Sequence, residues 1–137
     1  MTDAPLTTYQ SGRIGEPAEP RTVVVFERRP RWFPEMQRQF VGEETRIRWC
    51  TELRDVERHL AADGSFVVVL DFDECPGECL QLLGRSVGAS QSVPFVCIGS
   101  QQTAELEWIV RELGGLAFFP DHVTGDRIAA LCRRQWT

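Results

Sequence analysis

The chain has 137 residues, a length typical of one domain, and its 15 basic and 20 acidic residues give a net charge of -5. An acidic chain has no overall electrostatic attraction to nucleic acid or to anionic membranes. Every basic residue is an arginine, so no lysine is available as a Schiff base or as a phosphate-binding amine. Composition therefore excludes lysine-dependent chemistry and predicts neither a nucleic-acid nor a membrane partner.

The amino-terminal residues 1–21 predict a disordered leader, and residues 22–137 predict one folded domain. The leader carries three prolines and two glycines but no apolar periodicity. No stretch reaches the ~18 apolar residues of a membrane span, and the chain does not start like a secretion signal. The five cysteines are odd in number, and three lie in or beside apolar segments, which favours reduced thiols in a cytoplasmic protein.

Strand-like and helix-like segments alternate along the folded domain. Short apolar runs predict five strands, at 22–26, 46–50, 66–70, 94–98 and 116–119. Helical spacing of apolar residues predicts five helices, beginning near Trp32, at a cap on Thr51, near Cys79, at Thr103 and at Asp126. The second of these buries a stripe of Leu53, Val56, Leu60 and Ala61, and the third ends near Gly88. Such alternation predicts an α/β fold, a parallel sheet with helices on both faces.

The third predicted strand ends in a group of acids. Its five consecutive large apolar residues, Phe66 to Leu70, indicate a strand buried on both faces. Asp71, Asp73 and Glu74 follow at the carboxyl end, where open α/β sheets bind their ligands. Asp71 is therefore the first candidate for a functional residue.

Together these features resemble the receiver domain of two-component response regulators, which has a flavodoxin-like (βα)5 fold. Asp71 stands where that family has the aspartate that a histidine kinase phosphorylates in a phosphorelay. Pro76-Gly77, Gly114-Gly115 and the run from Val23 to Pro30 are similar to motifs of the family. The resemblance implies a signalling domain rather than an enzyme.

The family's supporting residues are altered in this chain. The family binds Mg²⁺ through an acidic pair after the first strand, but here Glu27 is followed by Arg28, a cation that repels Mg²⁺. Gly99 stands at the family's hydroxyl position, with Ser100 one residue later, and Asp121 stands near its lysine position. Phosphoryl transfer depends on positioned charge, so the sequence predicts a degenerate pseudo-receiver with no cofactor. We expect Arg28 to pair with Asp71 and to hold its pKa low.

Two alternatives remain open. Glu27 and Asp73 could form an acidic pocket that binds Mg²⁺ beside Asp71, which would make the chain an atypical phosphoacceptor. The crevice at the strand ends could instead bind a small ligand. Cys75 and Cys79 lack the two-residue gap of thioredoxin-like or zinc motifs, so the sequence favours Cys79 packed under the third helix, with a redox pair as the alternative.

Trp108 lies beside, rather than on, the apolar stripe of the predicted fourth helix. An exposed tryptophan indicates a protein interface. In the family, the fourth helix, fifth strand and fifth helix form the usual contact face, so Trp108, Phe118 and Arg133 are interface candidates. The alternative is that Trp108 packs over the sheet edge or against Trp136. The sequence thus predicts a stand-alone module that contacts a histidine kinase or another signalling protein, without obligatory phosphorylation. A homodimer is left open.

Overall fold

A computed structural model describes residues 19–87 and 93–137. Most of the predicted leader, residues 1–18, and the predicted end of the third helix near Gly88 lie outside the described residues. The strands are β1 (Arg21–Phe26), β2 (Thr45–Cys50), β3 (Ser65–Asp71), β4 (Phe95–Gly99) and β5 (Ala117–Pro120). The helices are α1 (Trp32–Gln39), α2 (Leu53–Leu60), α3 (Pro76–Val87), α4 (Glu107–Glu112) and α5 (Gly125–Arg134), and a 3-10 helix (Gln101–Leu106) precedes α4.

The five strands form one parallel sheet in the order β2-β1-β3-β4-β5. Strand β1 pairs with β2 on one side and with β3 on the other, so the direction of winding reverses between β1 and β3. A crevice opens at the carboxyl ends of the strands where such a reversal occurs. The predicted α/β fold with its flavodoxin-like (βα)5 arrangement is confirmed, and the reversal places Asp71 and Glu27 beside one another in the sheet.

Two apolar layers cover the sheet. On one face, Val24, Phe26, Val68 and Leu70 pack against α2, α3 and α4. On the other face, the alternating residues of the same strands pack against α1 and α5. Burial of one such side chain stabilises the fold by about 1.5 to 3 kcal/mol. Because both faces of β3 are covered, every position of the strand is apolar from Phe66 to Leu70.

Four details of the sequence prediction are wrong. Helix α2 is capped at Glu52 and not at Thr51, and it ends before Ala61, which is exposed. The 3-10 helix begins after Ser100, whose hydroxyl accepts from the N–H of Gln102, so Thr103 does not open a helix. The Thr103 hydroxyl instead donates to Asp73 Oδ1 at 2.8 Å. Arg21, assigned to the leader, is the first residue of β1 and pairs with both neighbouring strands.

None of the helices in the two described ranges is long and apolar enough to cross a bilayer.

Candidate functional site

The carboxyl ends of β1, β3, β4 and β5 meet in what we call the strand-end crevice. They bring together Glu27, Asp71, Asp73, Gly99 and Asp121, all of which the sequence had singled out. The structure thus places these positions at one edge of the sheet. What each side chain does there differs from the prediction in several cases.

Glu27 serves as the cap of a helix. Its side chain is 0 % exposed, and its carboxylate accepts backbone N–H bonds from Arg31 at 3.0 Å, Trp32 at 3.0 Å and Phe33 at 2.9 Å. These are the N–H groups that the first turn of α1 leaves without a helical partner, and the helix dipole adds to their attraction for an anion. Glu27 therefore fixes the start of α1 instead of facing an open acidic pocket.

Arg28 does not form the predicted ion pair with Asp71. Its guanidinium pairs with Glu78 in the first turn of α3 and lies beside the Cys75 thiol, and its side chain is 53 % exposed. Its backbone N–H donates to Glu74 at 3.1 Å. The turn from β3 into α3 presents Glu74 and Glu78 to the loop after β1, so these acids reach Arg28 before Asp71 does.

Asp71 is 9 % exposed, and its carboxylate accepts an N–H bond from Asp73 at 3.0 Å. Burial raises the pKa of Asp71 above its ordinary value, the N–H of Asp73 opposes this, and the charges of Glu74, Asp73 and Glu27 add to it. The predicted low pKa is therefore wrong, because the cation expected at this carboxylate is elsewhere. Asp71 is an acid whose ionised form is disfavoured by its surroundings.

Asp73 holds the loop that follows β4. Its Oδ1 accepts from the Ser100 N–H at 2.9 Å, from the Ser100 hydroxyl at 3.0 Å and from the Thr103 hydroxyl at 2.8 Å. Burial acts to raise the pKa of Asp73, but these hydrogen bonds outweigh it and hold the pKa below its ordinary value. Sequence reasoning missed Thr103 as a site residue, and only its position four residues after Gly99 could have indicated it.

Gly99, at the family's hydroxyl position, is enclosed by neighbouring side chains. A Cβ at this residue would lie 2.3 Å from the Thr103 hydroxyl and 2.7 Å from the ring of Phe118. Such distances are shorter than any van der Waals contact, so position 99 accepts no side chain while Thr103 and Phe118 stay in place. The hydroxyls of Ser100 and Thr103 lie beside the end of this strand and both donate to Asp73.

Asp121, which the sequence places near the family's lysine position, contributes a backbone carbonyl to the crevice. Its carbonyl accepts a hydrogen bond from the Arg31 guanidinium, which also lies 4.5 Å from the centre of the Trp32 ring. The charge of Arg31 helps to lower the pKa of Asp73. A cation therefore reaches the crevice from the loop between β1 and α1, and not from the end of β5.

The acids of the crevice do not fit the Mg²⁺ ion that the family binds. The Glu27 oxygens are engaged by three N–H groups and Asp73 Oδ1 by three donors of its own chain. A hard dication needs several carboxylate or carbonyl oxygens free to coordinate it. In residues 19–87 and 93–137, no group of three or more His, Cys, Asp or Glu side chains is placed to hold a metal ion.

Of the three interface candidates, Trp108 presents its side chain to solvent. It is 67 % exposed. Phe118 packs edge to face on Phe72, with ring centres 5.5 Å apart. Arg133 pairs with Glu43 at 2.7 Å and donates to the Gln39 carbonyl at 2.8 Å, which ties α5 to the end of α1. Phe118 and Arg133 are partly exposed and also contact other parts of the domain, so their place in an interface stays a prediction.

Trp136 does not cover Trp108. Its ring packs against Phe40, with centres 6.4 Å apart. A cavity of about 410 Å³ opens near Trp108, between the ends of β4 and β5, and it is lined in part by Gly99, Ser100, Glu107 and Asp121. This cavity is where the small-ligand alternative would place its ligand.

The fold of the chain is shared by solved structures of known class. The strand order and the paired layers of helices define a flavodoxin-like α/β domain. The receiver domain of the TMAO respiratory system response regulator TorR matches with a TM-score of 0.71 at 13 % identity, over 85 % of this chain and 97 % of that chain. The non-phosphorylated HemR receiver domain from Leptospira biflexa matches with a TM-score of 0.66 at 20 % identity, over 83 % of this chain and 92 % of that one.

The chain therefore has the fold of a response-regulator receiver domain, as the sequence predicted. No protein-family model and no curated protein matches the sequence.

Proposed function

We propose that this chain is a receiver-fold signalling module that acts through protein contacts and does not require phosphorylation. The observation that carries this proposal is the state of Glu27, which is buried and accepts three backbone N–H bonds. An acid used in this way cannot turn outward to bind Mg²⁺ without leaving the start of α1 unpaired. The first position of the family's metal site is thus committed to the fold.

The remaining charges support the same proposal. Phosphoryl transfer to an aspartate brings negative charge onto a carboxylate, so it depends on cations fixed at the reacting oxygens. Arg28 pairs with Glu78, Arg29 pairs with Glu74 at 2.7 Å, and the chain has no lysine. Asp71 itself has a raised pKa, which disfavours the ionised nucleophile.

Trp108 is the centre of the contact surface in this proposal. Large aromatic side chains that stand free on a folded domain are the residues most often buried by a partner. The partner is a histidine kinase, another signalling protein or a second copy of the chain. A cytoplasmic location and the absence of catalytic activity both stay predictions from the sequence.

Acetyl phosphate with Mg²⁺ tests the proposal directly. The intact protein is incubated with both and its mass is measured, with a phosphorylatable receiver domain as positive control and Asp71→Asn as matched variant. We expect no phosphoryl adduct on either form of this chain, and no change in tryptophan fluorescence on titration with Mg²⁺ alone. A stoichiometric adduct that disappears in Asp71→Asn would establish the atypical phosphoacceptor instead.

A second candidate function, binding of a small ligand, is favoured by the cavity between β4 and β5. Its volume of about 410 Å³ lies within the range of ligand sites, and Glu107, Asp121 and His122 supply polar groups to its wall. Native mass spectrometry of the protein as purified would reveal a retained ligand, and its displacement by unfolding would distinguish it from a covalent adduct.

A further inference from the structure

Two cysteines lie under the strand-end crevice, where β3 leads into α3. Cys75 immediately precedes α3, and Cys79 lies one helical turn further, with its N–H donating to the Cys75 carbonyl at 3.0 Å. Each thiol also donates to the backbone carbonyl of Asp71, both at 3.5 Å. The two sulfurs are therefore held on the same side of the helix by one shared acceptor.

The two thiols also lie close enough to affect each other's pKa, since Cys79 lowers that of Cys75 and Cys75 raises that of Cys79. Side chains one turn apart on a helix have Cβ atoms about 5 to 6 Å apart, whereas a disulfide needs about 3.5 to 4.5 Å. The first turn would have to close by about 1 to 2 Å to join them. Cys75 precedes the helix and is not part of its body, so its backbone can take up that movement.

The two thiols differ in reactivity. The neighbouring Cys79 thiol lowers the pKa of the Cys75 thiol, burial opposes this, and the Arg28 guanidinium lowers it further. Cys79 is fully buried, and its pKa is raised by the neighbouring Cys75 and by burial. Burial raises the pKa of Cys50 to about 11, and those of Cys97 and Cys132 to about 12. Among the five cysteines, Cys75 therefore forms the reactive thiolate most readily.

We propose that Cys75 and Cys79 form a reversible intrachain disulfide, in which a hydroperoxide oxidises Cys75 and Cys79 resolves the product. This modification site is independent of the proposed function, since it needs neither a phosphoryl group nor a protein partner. Its formation would remove both thiol donors from the Asp71 carbonyl, so oxidation acts directly on the residue at the centre of the crevice.

The reaction balances in two steps with hydrogen peroxide as the oxidant. The Cys75 thiolate attacks one peroxide oxygen; the S–O bond forms, the O–O bond breaks and the hydroxide released takes up a proton as water. The Cys79 sulfur then attacks the Cys75 sulfenic acid, so that the S–S bond forms, the S–O bond breaks and the thiol proton leaves with the hydroxide as a second water. A dithiol reductant returns two electrons and two protons and restores both thiols.

Peptide mapping after peroxide treatment tests this inference on the unaltered chain. Cleavage after arginine gives peptide 59–85, which contains Cys75 and Cys79, while Cys50, Cys97 and Cys132 fall in three other peptides. After mild oxidation, unfolding and alkylation, we expect peptide 59–85 to be unlabelled and two hydrogens lighter. The other three cysteines should be fully labelled, and treatment with dithiothreitol should restore two labels to peptide 59–85.

Two variants assign the roles of the two sulfurs. In Cys79→Ser, a sulfenic acid should accumulate in peptide 59–85 and be trapped by dimedone; in Cys75→Ser, the same peptide should give no adduct. Cys132→Ala, which changes a buried cysteine on the other face of the sheet, should oxidise like the parent, with far-UV circular dichroism confirming that each variant is folded. The inference is overturned if peptide 59–85 keeps two labels while another cysteine is oxidised, or if Cys75→Ser gives the adduct.

Discussion

Glu27 follows β1 and Asp71 ends the neighbouring β3 at the same edge of the sheet; both are buried, yet their carboxylates meet different donors. Glu27 receives three backbone N–H groups from the start of α1, whereas Asp71 receives one, from Asp73. The first arrangement commits an acid to the fold, and the second leaves an acid whose pKa is raised by burial. The role of each carboxylate is therefore set by the hydrogen-bond donors around it and not by its position in a sequence motif.

Replacing Glu27 should have the largest effect on stability. Glu27→Ala leaves three N–H groups at the start of α1 without an acceptor and should lower the free energy of unfolding by about 2 to 4 kcal/mol. Glu27→Gln keeps one acceptor oxygen and should cost about half as much. Urea unfolding followed by fluorescence measures both variants. If Glu27→Ala were as stable as the parent, the carboxylate could not be a structural cap and the contrast with Asp71 would collapse.

Removal of the Thr103 hydroxyl should have an intermediate effect. Thr103→Val keeps the shape of the side chain but removes one donor to Asp73, so we expect a loss of about 1 kcal/mol by urea unfolding at neutral pH. Thr45→Val, on the edge strand β2, controls for the loss of a threonine hydroxyl.

The pH dependence of stability provides a second test of Thr103→Val. The pKa of Asp73 is lowered in the folded protein, so its stabilising contribution is present above the pKa of the unfolded chain and is lost as pH falls through the folded value. The difference between the parent and Thr103→Val should therefore shrink in acid. A difference that stayed constant down to acid pH would show that the hydroxyl acts without Asp73.

Asp71→Asn should have the smallest effect on the free energy of unfolding, and it should raise that free energy where the other variants lower it. Because burial raises the pKa of Asp71, the folded state holds its proton more tightly, and this stabilisation is lost as pH rises through the folded pKa. A neutral asparagine avoids the buried charge, so at neutral pH we expect a gain of at most about 1 kcal/mol, which vanishes toward the pKa of the unfolded chain. Urea unfolding from about pH 4 to about pH 8 measures it. If Asp71→Asn lowered the free energy of unfolding as much as Glu27→Gln does, the Asp71 carboxylate would stabilise the fold as the Glu27 carboxylate does.

The sequence predicted the sheet and the neighbourhood of the crevice residues because both follow from simple rules. An apolar run such as Phe66 to Leu70 requires cover on both faces, and parallel strands bring their carboxyl ends to one edge. The exposure of Trp108 was one of the two alternatives that its place beside the apolar stripe of its helix left open. Each of these inferences used only the periodicity of the chain.

The partners of individual polar groups could not be predicted in this way. Arg28 was expected at Asp71, yet the turn into α3 places Glu78 closer; the Thr103 hydroxyl was expected to cap a helix, yet it bonds Asp73. Several acids and several donors compete within one crevice, and differences of about 1 kcal/mol decide the pairing. Such choices depend on loop geometry, which the sequence pattern does not contain.

The enclosure of Gly99 limits how this domain can change by single substitutions. A serine or threonine at this position, as a phosphoacceptor receiver would have, collides with the Thr103 hydroxyl and the Phe118 ring. Both Thr103 and Phe118 would have to shift or become smaller, and a change that removes the Thr103 hydroxyl also removes a donor from Asp73. A hydroxyl-bearing residue at position 99 is therefore expected to destabilise the domain unless its neighbours change with it.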